Sequence, residues 1–133
     1  MAKKNPVVHF EMPYKKPERL VRFYAKAFGW KMHKLGKEMG GYVTAATTDT
    51  DRNNMVKTPG NINGGFYPQA SAPSARCPSV VIAVDDIKDA MKKISKAGGK
   101  VLGKPVEILG IGMYVSFTDT EGNRVSILAP TNM

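Results

Sequence analysis

A chain of 133 residues is the size of one ordinary domain, and 42% hydrophobic against 23% charged residues supplies a core and excludes a disordered segment. No stretch reaches the roughly 20 apolar residues of a membrane helix, and MAKKNPVVHF holds no apolar run of secretory-signal length, so a soluble, cytoplasmic protein with no membrane partner is expected. Lys and Arg number 20 against 11 Asp and Glu, a net +9, but the pairs Lys3–Lys4, Lys15–Lys16 and Lys92–Lys93 are scattered without an aromatic signature, which argues against nucleic acid.

In chain order, the first element is a short strand, VVHFEM, in which Val8, Phe10 and Met12 alternate with Val7, His9 and Glu11. One face is therefore apolar, and the other carries His9 and Glu11. An amphipathic helix follows: Pro17 suits its first position, Leu20, Phe23, Tyr24, Ala27 and Phe28 form a stripe, and Gly29 ends it. Tyr24 and Trp30 read as core and His33 as surface. TDTDRN at 48–53 is a turn, since Asp and Asn tolerate turn geometry. GNINGGFY at 60–67 is glycine-rich but lacks the Lys-Ser/Thr of a phosphate loop and leads into no helix, so it reads as strand entry with close backbone approach. The small, proline-bearing stretch at 70–77 is a linker that adds nothing to a core. Its Cys77 is the only cysteine, makes no internal disulfide and reads as inert.

The order then repeats. SVVIAV is a strand, Asp85 or Asp86 caps a helix with a stripe of Ile87, Ala90, Met91, Ile94 and Ala97, and Gly98 and Gly99 close it. TDTEGN at 118–123 is a hairpin turn between MYVSF and RVSIL. Lys26, Ala27 and Gly29 fall on Lys96, Ala97 and Gly99 at a constant step of 70 residues; with a two-residue slip GGYVTA pairs with GMYVSF, and beyond a longer first-half loop GGFYP faces SILAP. The chain is thus one domain, 1–133, made of two like modules at about 5–69 and 78–130.

The openings HFEMPYKKPERLVRFYAKAFGW and VVIAVDDIKDAMKKISKAGGKV, with the closing FTDTEGNRVSILAP, resemble the glyoxalase/bleomycin-resistance/extradiol-dioxygenase family, the vicinal oxygen chelate proteins. The resemblance implies an α+β fold of two tandem βαβββ modules whose curled mixed sheets enclose a cleft, and pairing as a homodimer. It also implies four cleft-facing positions at which metal-using members place His, Glu or Gln. Here they fall on His9, Ser79 and, aligned through Pro68 and Pro130, on Gly64 and Ser126. One imidazole, two neutral hydroxyls and a glycine do not make a divalent metal site, even with Glu11 added. No metal and no other cofactor is therefore expected.

Fold resemblance does not choose a function. The expected ligand-binding set is His9, Glu11, Phe66, Ser79, Val81, Ser126 and Leu128, placed on one side by strand alternation, and the expected partner is a small organic molecule. An anionic or neutral ligand suits a +9 chain better than a cationic drug such as bleomycin. The alternative is an enzyme of lyase, isomerase or dioxygenase kind acting on a small oxygenated metabolite, with His9 and Glu11 as catalytic candidates, general base and orienting carboxylate.

Overall fold

The computed structural model describes residues 3–53, 55–71 and 73–131, apart from the side chains of Pro73 and Ser74. Its elements run β1 (Val7–Tyr14), α1 (Pro17–Phe28), β2 (Lys31–Lys34), β3 (Val43–Ala46), β4 (Asn63–Pro68), β5 (Ser79–Ala83), α2 (Ile87–Lys96), β6 (Lys100–Ile108), β7 (Gly112–Thr118) and β8 (Arg124–Pro130). The order βαβββ therefore occurs twice, and the fold class is α+β.

The chain forms two compact units, His9–Pro78, and Met1–Val8 with Ser79–Met133. In the first, β2, β3 and β4 are antiparallel and β4 lies parallel to β1, with Phe10 opposite Gly64 and Glu11 opposite Gly65. In the second, β6, β7 and β8 are antiparallel and β8 lies parallel to β5, with Val81 opposite Ser126 and Ala83 opposite Leu128. The strands of each unit are thus mixed in direction, with the parallel pair where its first strand enters. The Pro6 carbonyl belongs to the second unit through the N–H of Ala83, which it accepts at 2.9 Å.

The helices start 70 residues apart, as the repeat requires, but they end and pack differently. Pro17 does occupy the first turn of α1, and Gly29 ends it at φ 73°, its N–H donating to the Ala25 carbonyl. Only glycine takes that left-handed turn without a Cβ penalty. In α2 the cap is Asp86, whose Oδ1 accepts from Asp89 N at 3.0 Å, while Asp85 pairs with Lys3 at 2.8 Å.

In the second unit Ile87, Ala90, Met91 and Ile94 pack on Val84, Val115, Phe117, Ile127 and Ala129, whereas Ala97 is exposed. In the first, the core is Val43, Ala45 and Phe66 beneath Leu20, Val21, Tyr24 and Trp30. The stripe expected on α1 is corrected here: Phe23 and Phe28 are 56% and 63% exposed, and Ala27 is exposed too. The buried side of the helix centres on Leu20, Val21 and Tyr24, which turns Phe23 and Ala27 outward, and Phe28 is the helix's last residue. Trp30 stacks on Tyr24 at 4.7 Å between ring centroids.

The linker needs correction as well. Pro73–Arg76 forms a short 3-10 turn, and Ala75 is 4% exposed, so the stretch does enter a core; its Ala72 lies outside the described residues.

The two look-alike turns share one construction at different letters. Asp119 Oδ1 accepts from the N–H groups of Glu121 and Asn123, and Asp119 N donates to the Asn123 carbonyl. In the first unit Asp51, and not the letter-matched Asp49, does the same with Asn53, Met55 and the Met55 carbonyl. The second turn joins β7 to β8 directly. The first lies inside the long connection from β3 to β4, where Thr50 and Val56 form a single bridge.

Candidate functional site

Period-two alternation along β1 brings His9 and Glu11 to one face of the first sheet. Across the parallel ladder that face continues through Asn63, Gly65 and Tyr67 of β4. Glu11 is 7% exposed, which for a carboxylate calls for hydrogen-bond partners. One is Tyr42, at the entrance to β3: its hydroxyl donates to Glu11 Oε2 at 2.9 Å and lies 3.2 Å from His9 Nε2.

These contacts assign the histidine tautomer. A phenol has one proton, and Tyr42 gives it to the carboxylate, so the His9 contact must be an Nε2–H donating to the phenolic oxygen. The basic lone pair then sits on Nδ1. Burial holds the His9 imidazole below its usual range, and the neighbouring Glu11 charge offsets this in part. His9 is accordingly a neutral imidazole near pH 7.

Tyr42 reaches both partners because position 65 is glycine. A Cβ there would overlap the Tyr42 ring, just as a Cβ at Gly64 would overlap the Phe10 ring on the opposite face. Gly64 therefore does not share the His9 face, and the register shows its correction: Glu11 pairs with Gly65 as Val81 pairs with Ser126, which makes Gly65 the counterpart of Ser126. The same one-residue shift removes Phe66. It is 1% exposed and packs in the core with Phe10 and Met12, away from His9 and Glu11, because slipping a strand by one residue exchanges its faces.

In the second unit Ser79, Val81, Ser126 and Leu128 lie on one face of their sheet, the face away from the α2 core. Ser126 is 2% exposed, and its Oγ lies 2.8 Å from Tyr114 Oη and 2.9 Å from Ser116 Oγ. These contacts run from hydroxyl to hydroxyl. The expectations named neither Tyr42 nor Tyr114 nor Ser116, although GGYVTA and GMYVSF had set both tyrosines at matching places. His33 is exposed on β2, as expected.

The donor set tests the metal that the resemblance brings to mind. With the register corrected, the four positions hold His9, Ser79, Gly65 and Ser126, and glycine offers no side-chain donor. Among the described residues no three His, Cys, Asp or Glu side chains gather at metal-binding distance. These residues do not fit a divalent metal. No helix among the described residues is long and apolar enough to cross a membrane.

A family model for the Glyoxalase/Bleomycin resistance protein/Dioxygenase superfamily matches residues 7–127. A glyoxylase-like domain-containing protein of Didymella fabae is 29% identical over 123 residues, covering 88% of each chain. Among solved structures, a methylmalonyl-CoA epimerase variant of Streptomyces coelicolor, in complex with 2-nitronate-propionyl-CoA, superposes with TM-score 0.67 at 14% identity, over 94% of this chain and 96% of that one. A hypothetical protein of Bacillus halodurans does so with TM-score 0.65 at 13% identity, over 95% and 94%. At these identities the structural likeness is one of fold.

Proposed function

The chain belongs to the glyoxalase/bleomycin resistance protein/dioxygenase superfamily, and from that premise we propose that it binds a small organic molecule, anionic or neutral, on the sheet face that carries His9, Glu11 and Tyr42, without a metal. The observation that carries this reading is the Tyr42 hydroxyl held between a buried carboxylate and a neutral imidazole. Buried polar groups fixed by their own hydrogen bonds can orient a ligand without rearranging. The corresponding face of the second unit, with Ser79, Val81, Ser126 and Leu128, is proposed as a further ligand-contacting surface. The absence of a metal rests on donor chemistry.

A thermal-shift screen of small carboxylates, lactones and neutral oxygenated compounds tests the reading. A ligand at about 100 times its dissociation constant should add roughly 2.7 kcal/mol of stability, and His9→Ala should abolish the shift. A screen in which no hit loses its shift in His9→Ala, or tight one-to-one uptake of Zn²⁺, Ni²⁺, Fe²⁺ or Mn²⁺ that is lost in His9→Ala, would refute it. The protein is further proposed to act as a homodimer in the cytoplasm; light scattering at micromolar concentration should return about twice 14.5 kDa.

The tautomer supports a second, enzymatic reading. A neutral His9 with its proton on Nε2 and its lone pair on Nδ1 is equipped to remove a proton from a carbon acid, with Tyr42 and Glu11 steadying the imidazolium that results. Incubation with candidate metabolites in D₂O should then place deuterium in the substrate, and His9→Gln should stop it. Ligands that bind in the screen yet never exchange would leave the protein a binder.

A further inference from the structure

A cavity of about 470 Å³ opens in the His9–Pro78 unit where β1 turns into α1, and His9, Glu11 and Tyr42 are not among its lining residues. That volume lies within the roughly 300–1,000 Å³ of small-molecule pockets. Four cations stand around it: Lys15 and Lys16 from the turn, Arg19 from the first turn of α1, and Arg76 from the 3-10 turn before β5. Leu20 and Phe23 supply an apolar wall.

What marks these cations is that four of them gather at one cavity with no carboxylate among its lining residues. Lys3, Lys34 and Lys93 each hold a carboxylate, from Asp85, Glu18 and Asp89 respectively. Among the described residues, none of the four around the cavity is in an ion pair. The nearest acid in sequence, Glu18, is paired with Lys34 at 3.0 Å and is not among the lining residues. Like charges gathered on one concave surface repel one another and focus a positive potential into it. Phe23, 56% exposed beside these charges, leaves an aromatic surface without a cover.

We propose that this cavity is a second binding site, which takes a small amphiphilic anion: a carboxylate, sulfonate or phosphate held by Arg19, Arg76, Lys15 and Lys16, with an apolar body on Leu20 and Phe23. Guanidinium groups hold such heads by paired hydrogen bonds, and the apolar wall selects against bare inorganic ions.

Isothermal titration of the whole protein with sodium decanoate, below its micelle concentration, tests the site. One decanoate per chain is expected, with decanol and inorganic phosphate each bound at least about tenfold more weakly, since each lacks half of the recognition. Arg19→Gln with Arg76→Gln should weaken decanoate about tenfold, and Phe23→Ser about threefold. These side chains are exposed, so the variants should melt near the parent; if the arginine pair does not, Lys15→Gln with Lys16→Gln carries the same expectation. His9→Ala should leave decanoate binding unchanged. Equal affinity for decanol, no response to the charge variants, or loss of binding in His9→Ala would each overturn the proposal. Binding to phosphatidylglycerol vesicles but not to monomeric decanoate would overturn it too, in favour of a membrane surface.

Discussion

Tyr42 and Tyr114 stand at matching places in the two halves of the repeat, yet the first reaches a carboxylate and an imidazole where the second reaches a serine hydroxyl. Tyr42 joins a carboxylate to an imidazole; Tyr114 meets the hydroxyl of Ser126, which in turn meets that of Ser116. The residue that separates them is on the last strand of each unit. Gly65 lets the Tyr42 ring lie across β4 as far as Glu11, whereas Ser126 meets the Tyr114 hydroxyl with its own. A duplicated fold can therefore keep the same tyrosine and change its role by what lies under the ring.

The most disruptive way to break this comparison is to write the second unit's residue into the first. Gly65→Ser should lose about 3 kcal/mol of stability, because the new Cβ and hydroxyl intrude on the Tyr42 ring and overpacking costs of that order. Urea unfolding measures it, and a loss under about 0.5 kcal/mol would mean that the ring moves aside freely. Next in size is the pair of hydroxyl deletions. Tyr42→Phe takes a donor from a buried carboxylate and should cost about 2 kcal/mol, while Tyr114→Phe leaves Ser116 and Ser126 bonded to each other and should cost about 1 kcal/mol. Equal costs would erase the distinction between the charged and uncharged clusters.

The smallest effect sharpens the comparison through pH. The folded pKa of His9 lies below the unfolded value of about 6.5, so the unfolded chain takes up the proton first. Stability contributed by neutral His9 is thus complete above pH 7, falls as pH drops through about 6.5, and levels off once the folded imidazole is protonated as well. Unfolding free energies at pH 7.5 and 5.5 should differ more for the parent than for His9→Gln. Ser126→Ala, in the uncharged cluster, should leave the parent's pH dependence in place.

Much of this was legible in the sequence, for local reasons. Pro17 and Asp86 mark where the helices begin, and strand alternation alone sets His9 beside Glu11 and Ser126 beside Leu128. What failed was long-range. The 47–62 connection leaves the entry of β4 unfixed by sequence, so aligning Pro68 with Pro130 put Gly64 and Phe66 one residue out, enough to turn each to the wrong face. Phe23 and Phe28 misled because apolar spacing gives a stripe but not which edge of it meets the sheet. Tyr42 was missed because its partners are 31 and 33 residues away in sequence, and its usefulness depends on a side chain that position 65 does not have.

That missing side chain also limits how this protein can change. Position 65 is where a metal-using relative would carry a donor, but its space belongs to Tyr42, so a carboxylate or imidazole placed there meets a ring before it meets an ion. Removing Tyr42 first would strip Glu11 of its donor. Each step alone is harmful, and only the two together open the position, so their effects should be far from additive. For anyone wishing to install a metal in this scaffold, and for any lineage drifting toward one, the route through Gly65 requires a double change.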